Sequence, residues 1–402
     1  MPAFVPHISR RVASVAPSAT LSISAKAKEL AKAGKNVIDM SAGEPDFNTP
    51  DFLIESAYAA LKAGKTKYTA VPGTPELRQA IAEKLKKENG LEYPAAAISV
   101  ANGAKHTLYN ILQVILNPGD EVLVPVPGWV SYKEMAHLAE AIPVEVPCDQ
   151  ADGFYLHADA LEKAYSPKAR ALLINSPSNP TGALYTRKNL EEIADFALRH
   201  NILVISDEIY EKLTYDNAEV ISIASLGKDI FDRTITVNGL SKSYSMTGWR
   251  IGYAAGSKDI IEAMNVLQSH STSNAVTFCQ EASITALHDT SDWCPRCRDI
   301  FSKRRDLIFS GMCAIPGVSC YKPLGAFYLF PNVSAHYGKA IDETPVKNSL
   351  DFCAALLEKE NVAAVPGSAF DSDAHIRLSY ATSEDNIREA VSRIARFVGR
   401  LG

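Results

Sequence analysis

The chain has 402 residues, of which 47% are hydrophobic and 22% are charged, and its formal net charge is −5. These values exclude the fibrous and disordered classes, and without long Lys/Arg runs they offer no footprint for nucleic acid or membrane. The length favours two domains. Without a signal peptide or a long apolar stretch, we expect a cytoplasmic protein that acts on small molecules.

Apolar runs of strand length alternate with amphipathic helical stretches as far as Ser291. This alternation predicts an α/β fold with a mostly parallel sheet, crossover helices, and ligands at the carboxyl ends of the strands. We expect a large domain over 49–295 and a small α+β domain over 296–402, with 1–48 forming an N-terminal arm and part of the small domain. The predicted strands are Ile98–Ala101, Glu121–Pro125, Pro143–Val146, Ala171–Asn175, Leu203–Ser206, Thr234–Val237, Ile251–Ala255, Phe327–Pro331, Ala363–Pro366 and His375–Ser379. The predicted helices are Pro75–Lys87, Thr107–Leu116, Lys188–Arg199, Lys258–Ser269, Glu281–His288, Asp299–Met312 and Glu384–Leu401.

The loop after the predicted strand Ile98–Ala101 has the composition of an anion-binding turn. It opens a helix, so Gly103 and Ala104 can bring backbone N–H groups close to a phosphate. It is not a Walker loop, and the dinucleotide fingerprint G-x-G-x-x-G does not occur in the sequence. Trp129, in the loop after the next strand, can pack against an aromatic ligand, although a core position suits a tryptophan nearly as well.

Polar side chains follow the next parallel strands. Two prolines and a glycine stiffen the turn after Ala171–Asn175, which holds the Asn179 amide in place. Asp207 comes at the end of the following strand, and Tyr210 lies three residues later. A carboxylate there can pair with a pyridine nitrogen, while Tyr and Asn can donate to the phenolic oxygen of the same ring. Asp207 is equally compatible with a helix N-cap.

The polar segment Ser241–Arg250 is the strongest candidate for chemistry. It follows a strand and places the amine of Lys242 and the guanidinium of Arg250 eight residues apart. An amine can condense with an aldehyde, and a guanidinium can bind a phosphate by two parallel hydrogen bonds. Pyridoxal phosphate carries both groups. For this pair alone, a solvated lysine and a surface arginine remain the commoner interpretation.

Seven scattered cysteines argue against a disulfide framework. Cys294 and Cys297, after Trp293, have the spacing of a thioredoxin-type motif, which requires a strand that delivers the first cysteine to a helix. A predicted helix precedes them here, so we interpret this stretch as a helix–helix connection. A dithiol oxidoreductase is the alternative from a different class of function. No second C-x-x-C supplies further zinc ligands, and no metal site is predicted.

Together these motifs resemble the fold type I pyridoxal-phosphate aminotransferases, most closely the bacterial aspartate aminotransferases of class I, subgroup Ib. The resemblance runs from Ser18 to near the C-terminus. The motifs that carry it are Ser41–Phe47, Gly64–Tyr68, Asn175–Gly182, Ser206–Tyr210, Ser241–Tyr253 and Ile376–Ala381.

The resemblance implies a fold type I architecture with pyridoxal 5'-phosphate as cofactor. Lys242 would form a Schiff base with the cofactor and then shuttle the substrate's Cα proton. Asp207 would pair with the pyridine nitrogen, and Asn179 and Tyr210 would reach the phenolic oxygen. The residues that would contact the phosphate or the rest of the cofactor are Gly103, Ala104, Lys105, Trp129, Ser241, Arg250 and, from the other subunit of a homodimer, Tyr68.

The substrates implied by the resemblance are amino acids and 2-oxo acids, with L-aspartate as donor and 2-oxoglutarate as acceptor in a ping-pong reaction. The α-carboxylate would be bound by Arg377 with Gly43, Trp129 and Asn179, and the distal carboxylate by Lys105. Ala16 stands where many relatives carry a basic residue, and some of those relatives also aminate prephenate. The missing charge makes prephenate a weaker expectation as a substrate, although Thr20 and Lys105 fit it. A broader aromatic range and a pyridoxal-phosphate lyase on the same scaffold remain alternatives.

Overall fold

The computed structural model describes residues 4, 7–17 and 19–402. The strands are β1 (Ile38–Asp39), β2 (Ile98–Ala101), β3 (Glu121–Val126), β4 (Ile142–Pro147), β5 (Ala169–Asn175), β6 (Leu203–Asp207), β7 (Thr234–Gly239), β8 (Gly252–Ala255), β9 (Tyr328–Leu329), β10 (Lys339–Ile341), β11 (Thr344–Val346), β12 (Val362–Ala363), β13 (Val365–Pro366) and β14 (Ile376–Ser379). The helices are α1 (Arg10–Ala13), α2 (Ala19–Lys32), α3 (Asp51–Lys62), α4 (Pro75–Asn89), α5 (Ala104–Ile115), α6 (Ser131–Leu138), α7 (Ala158–Ala164), α8 (Arg187–His200), α9 (Lys228–Phe231), α10 (Lys258–Ser269), α11 (Thr277–Leu287), α12 (Trp293–Cys313), α13 (Ser349–Glu360) and α14 (Glu384–Gly399). None of the described helices is long and apolar enough to cross a membrane.

Seven strands form one sheet in the order β2-β8-β7-β6-β5-β3-β4. The α/β class and the mostly parallel pairing are confirmed, and β8 is the exception because it runs antiparallel to both neighbours. Residues 240–251 between β7 and β8 form turns and a short 3₁₀ helix, not a crossover helix. The chain therefore returns beside β7 in the opposite direction. This loop is the one that carries Lys242.

The strands of this sheet are apolar runs because helices cover both faces. All residues of β7 are buried. Leu108 of α5 and Met264 of α10 belong to the cluster on one face, and Ile193 and Phe196 of α8 belong to the cluster on the other. This packing fixes the strand ends, where the loops with polar side chains begin.

The C-terminal region forms a separate antiparallel sheet, in the order β13-β14-β9, with α12 and α14 packed together beside it. β1 pairs in parallel with β12, which joins the N-terminal segment to this region. The single strand predicted over Ala363–Pro366 is wrong: it divides into β12 and β13, which pair in different sheets. The remaining short strands are shorter than predicted, because neighbouring residues leave the ladder for turns.

The interpretation of Cys294–Cys297 as a helix–helix connection is also wrong. α12 begins at Trp293, six residues before the predicted start, and both cysteines lie in its first turns. Pro295 is compatible with this position because the first turn of a helix has no internal partner for its N–H groups. Trp293 Nε1 donates to the carbonyl of Ser243 at 3.1 Å, so this helix start packs against the Lys242 loop.

Candidate active site

A cavity of about 430 Å³ opens at the carboxyl ends of β5, β6 and β7, beside the start of α5. Residues of α2 and of the C-terminal sheet complete its walls. Most of the predicted site residues line it: Gly43, Ala104, Lys105, Trp129, Asn179, Asp207, Tyr210, Ser241, Lys242, Arg250 and Arg377. Residues more than 300 positions apart in the chain thus share one pocket.

Two predicted residues do not line this cavity. Gly103 is the N-cap of α5 and lies directly behind Arg250. Tyr68 is 90% exposed and lies on the surface of the subunit. Ser18, where the family resemblance begins, lies outside the described residues.

Lys242 points into the cavity from the loop after β7. Its Nζ donates to the carbonyl of Gly43 at 2.6 Å, and lies 5.9 Å from the ring centre of Tyr210. Burial lowers the pKa of this amine to about 8, and nearby Glu44 only partly opposes that effect. The lowered pKa makes the neutral form more accessible near neutral pH, which suits an amine that must act as nucleophile and base.

Asp207 is the last residue of β6 and is buried. Its carboxylate accepts from the hydroxyl of Tyr132 at 2.8 Å and from the backbone N–H of Ile209 at 3.2 Å. Burial raises its pKa from 3.8 to about 6, and the bond from Tyr132 opposes this rise. Turns rather than a helix follow it, so Asp207 does not cap a helix. A buried carboxylate without a hydrogen-bonded cation is suited to a positively charged ligand group.

The 207–211 segment is anchored on the side that faces away from the cavity. Buried Lys84 of α4 forms an ion pair with Glu211, and Asn89 donates to the same carboxylate at 2.8 Å. The Coulombic attraction of Lys84 offsets burial and lowers the pKa of Glu211. A paired charge network therefore holds the backbone that presents Asp207 and Tyr210.

An anion cradle forms where the start of α5 meets Arg250. Gly103 has a φ of 89°, and a Cβ built there would lie 2.5 Å from Arg250 Nη2, so only glycine fits. A Cβ on Gly252 would lie 2.2 Å from the backbone N of Ala104, so β8 also approaches closely. The guanidinium donates to the carbonyls of Thr247 and Asn102, which leaves further N–H groups for a ligand. A helix N-terminus beside an arginine is suited to binding a phosphate.

Arg377 lies opposite, on β14, and only 2% of it is exposed. It donates to Asn179 Oδ1 at 3.0 Å and to the carbonyl of Ser41 at 2.8 Å, and its Nε has no partner. Within the described part of the chain, no carboxylate forms an ion pair with it. Burial lowers its pKa. A buried cation without a counter-charge can bind a substrate carboxylate.

Lys105 lies on the cavity wall with its Nζ 4.8 Å from the ring centre of Trp129. Burial first, and then the charge of Arg250, lower its pKa. On the facing wall, Thr20 and Lys28 of α2 also line the cavity. Ala16 precedes this helix, and its backbone N–H donates to Glu134. No acidic side chain in the described part of the chain forms an ion pair with Lys105, so its ammonium is available for an anionic group.

Three cavity residues carry no recognisable pattern in the sequence. Tyr132 and Tyr328 are buried tyrosines whose hydroxyls bond to Asp207 and Tyr210, and Lys28 is an exposed helix residue. Tyr132 follows Trp129 by three residues at the start of α6, which is the one local hint. The other two reach the cavity only through tertiary packing.

The thiols of Cys294 and Cys297 differ from a reactive pair. Burial raises the pKa of Cys294 to about 11 and that of Cys297 to about 12. Both thiols are therefore protonated near neutral pH, which argues against dithiol exchange. Among the residues that the structure describes, no cluster of His, Cys, Asp and Glu can hold a metal ion.

The donor set described above fits pyridoxal phosphate. It has a phosphate cradle, a lysine amine, a buried carboxylate for a protonated ring nitrogen, and phenol and amide groups for a ring oxygen. Residues 35–394 match the protein family described as aminotransferase class I and II. The chain belongs to this family. It is thus a pyridoxal-phosphate-dependent aminotransferase, and the predicted family and cofactor are confirmed.

Relatives of this aminotransferase match it along nearly its whole length. An aspartate aminotransferase of Bacillus sp. (strain YM-2) is 50% identical over 97% of this chain and 99% of its own. An aspartate/prephenate aminotransferase of Cereibacter sphaeroides is 45% identical over 98% of this chain and 99% of its own. The crystal structure of the Rhizobium meliloti aspartate aminotransferase superimposes with a TM-score of 0.95 at 44% identity, covering both chains completely.

Proposed function

We propose that this aminotransferase moves the amino group of L-aspartate to 2-oxoglutarate, giving oxaloacetate and L-glutamate by a ping-pong reaction. The observation that carries the proposal is that Lys242 and Arg377 line one cavity, and that no carboxylate among the described residues forms an ion pair with the arginine. The names of the relatives from Bacillus and Rhizobium agree with this choice of donor.

The cofactor's phosphate would be held by Arg250, the start of α5 and the hydroxyl of Ser241. Asp207 would pair with the ring nitrogen, and Tyr210 and Asn179 would donate to the phenolic oxygen. When bound, pyridoxal phosphate supplies an aldehyde that condenses with amines and a protonated ring that accepts electron density from the substrate's Cα.

Lys242 would act twice, as the covalent attachment point and as the base that moves the Cα proton. A pKa of about 8 allows the amine both to accept and to release a proton near neutral pH. Arg377 would bind the α-carboxylate with Asn179, and Gly43 and Trp129 would border the same subsite. This arrangement holds the Cα–H bond near the lysine that removes its proton.

Lys105 would bind the distal carboxylate of aspartate or glutamate. Its ammonium is a single point charge on a flexible chain, which tolerates dicarboxylates of different length. Its lack of an acidic partner within the described residues supports this role.

The decisive experiment replaces Lys242. Lys242→Ala should lose both the visible absorbance of the attached cofactor and transamination, with Lys258→Ala, an exposed lysine of α10, as the matched control. Transamination by Lys242→Ala at nearly the wild-type rate refutes the proposed mechanism. A 2-oxo-acid-independent product from the wild-type enzyme would point instead to a lyase.

Prephenate is a second candidate acceptor, favoured by the 45% identity to the Cereibacter sphaeroides enzyme. Thr20 lines the cavity, which supports the candidate, whereas Ala16 contributes no positive charge. Donors should be assayed against 2-oxoglutarate, oxaloacetate and prephenate. Turnover with prephenate at a rate close to that with 2-oxoglutarate would establish the broader specificity.

We further propose a homodimer in which Tyr68 completes the phosphate site of the other subunit. Tyr68 is 90% exposed and outside the cavity of its own subunit, which is the expected position for such a residue. Ile54, Tyr58 and Leu61 of α3 are also exposed, at a spacing that forms one apolar helix face. A second copy of the chain would cover this face.

Mixed dimers test the shared site. Lys242→Ala and Tyr68→Ala subunits, each impaired alone, should regain activity when they are unfolded and refolded together. One of the two sites in a mixed dimer then has an intact lysine and an intact Tyr68. Activity no higher than the sum of the separate variants would contradict a shared site. Sedimentation measurements on the same samples give the oligomeric state.

We also propose the domain division at residues 48/49 and 295/296, which the pairing of β1 with β12 supports for the N-terminal segment. Limited proteolysis followed by mass spectrometry would locate the boundaries. The cytoplasm is the proposed location; the seven free cysteines are compatible with a reducing compartment.

A further inference from the structure

Tyr328 touches both halves of the proposed site. Its hydroxyl lies 2.9 Å from the hydroxyl of Tyr210, and its ring centre lies 4.5 Å from the guanidinium carbon of Arg377. It is fully buried within the subunit yet lines the cavity. A Cβ on Gly43 would lie 3.4 Å from the same hydroxyl, so this oxygen is enclosed on that side too.

The fold explains why one side chain reaches both partners. β9 and β14 are antiparallel, and Tyr328 pairs with Ser379. Arg377 is two residues from Ser379, so it lies on the same face of the sheet as a diagonal neighbour of Tyr328. Tyr210 approaches from the large sheet, with its ring perpendicular to that of Tyr328. Tyr328 therefore bridges the strand that binds substrate and the segment that faces the cofactor.

We propose that Tyr328 is a positioning residue for both Tyr210 and Arg377. This inference rests on the proposed function, in which Tyr210 donates its single proton to the cofactor's phenolic oxygen. Because that proton is then committed, the 2.9 Å contact between the two hydroxyls requires Tyr328 as the donor. A hydroxyl that accepts one hydrogen bond donates more strongly in the next, so Tyr328 strengthens the bond from Tyr210.

The ring of Tyr328 has a separate task. It packs against one face of the Arg377 guanidinium, while Phe370, at 5.0 Å, provides another aromatic contact. These rings restrict the plane of the guanidinium and direct its edge towards Asn179 and the cavity. Arg377 is therefore preorganised for a carboxylate before the substrate arrives.

Two substitutions separate the tasks. Tyr328→Phe removes the hydroxyl and keeps the ring, whereas Tyr328→Leu removes both. Tyr380→Phe is the matched control, because Tyr380 is another fully buried tyrosine of this region whose hydroxyl donates to the carbonyl of Ala326. All proteins are compared as loaded enzymes, first by the pH midpoint of the visible absorbance band and then by the Kd of maleate, an unreactive dicarboxylate, from calorimetry.

Tyr328→Phe should raise the pH midpoint by a few tenths of a unit, because a weaker bond from Tyr210 stabilises the phenolate less. Its Kd for maleate should stay at the wild-type value. Tyr328→Leu should show the same shift and also weaken maleate binding by about two- to five-fold. Tyr380→Phe should change neither quantity.

Wild-type values for both Tyr328 variants overturn the inference, and so do losses of equal size in Tyr380→Phe. If Tyr328→Leu does not fold, Tyr328→Met tests the ring, and the hydroxyl is still tested by Tyr328→Phe. Failure of the proposed function is distinguishable: the wild-type protein would then lack the visible band, or Lys242→Ala would retain it.

Discussion

Two buried arginines of the C-terminal region, Arg305 and Arg377, differ in the source of their counter-charge. Arg305 is fully buried and donates to both oxygens of Asp216, at 2.8 and 2.9 Å. Arg377 is 2% exposed, and within the described residues its hydrogen-bond acceptors are both neutral, namely the side chain of Asn179 and the carbonyl of Ser41.

The aromatic surroundings of the two arginines are alike. Arg305 lies 4.8 Å from the ring of Tyr215, and Arg377 lies 4.5 Å from that of Tyr328. Burial and aromatic packing therefore do not separate a structural arginine from one that we propose to bind substrate. The difference is that no carboxylate among the described residues forms an ion pair with Arg377, so its charge is available to an anionic ligand. Asp207 and Lys105 resemble Arg377 because each is a charged cavity residue that forms no ion pair with a side chain among the described residues.

The largest effect is expected for Arg377→Met. Transition-state binding should weaken by about 2–5 kcal/mol for aspartate and alanine alike, because both carry an α-carboxylate. Steady-state kcat/KM for the two donors measures this loss. The free energy of unfolding should change little, because removing a buried charge that has no ion-pair partner offsets the loss of the hydrogen bonds to Asn179 and to the carbonyl of Ser41. A loss confined to aspartate would assign Arg377 to the distal carboxylate instead.

Asp207→Asn tests the buried anion by its pH dependence. The raised pKa means that the folded state keeps its proton longer, so the wild-type protein loses stability as pH rises from about 4 to about 6. The variant lacks this slope. Above pH 6, the free energy of unfolding of the cofactor-free variant should exceed that of the cofactor-free wild type by up to ~3 kcal/mol. The variant loaded with cofactor should lose transamination. Urea unfolding at pH 4.5 and 7.5 provides the comparison, and parallel curves for the two proteins would contradict it.

Arg305→Met should act on stability alone. The loss is about 2 kcal/mol in the free energy of unfolding, because the remaining Asp216 and Asp306 are about half exposed and water can solvate them. Values of kcat and KM per folded molecule should be unchanged. A change in KM comparable with that of Arg377→Met would remove the distinction between the two arginines.

The smallest effect is expected for Lys105→Ala, because this lysine is only partly buried and solvent screens its charge. It should lower kcat/KM for aspartate by about five-fold, or roughly 1 kcal/mol, and leave alanine unchanged. Lys26→Ala, an exposed helix lysine paired with Glu29, is the control. Equal losses for aspartate and alanine would refute a role in binding the distal carboxylate.

The inner strands of the main sheet were predictable from the sequence because helices cover both faces and the strands are mostly apolar, whereas β4 is an edge strand with exposed residues. Prediction from local sequence patterns failed where contacts between distant residues determine the direction or the bounds of an element. The direction of β8 depends on the loop that carries Lys242, and the start of α12 at Trp293 depends on packing against that same loop. The division of Ala363–Pro366 between two sheets reflects pairing with distant strands.

By itself, the sequence determined the kinds of group available: an amine, a guanidinium and an anion-binding helix start, each in a short motif with its own chemistry. The tertiary structure decided which of these groups meet and which buried charges lack a partner. Arg377 lies in the family motif Ile376–Ala381, whereas Arg305 lies in none of the motifs that carry the resemblance. Charge compensation depends on residues distant in sequence, such as Asp216 for Arg305, so only the folded chain shows that Arg305 has an ion-pair partner and that Arg377 has none among the described residues.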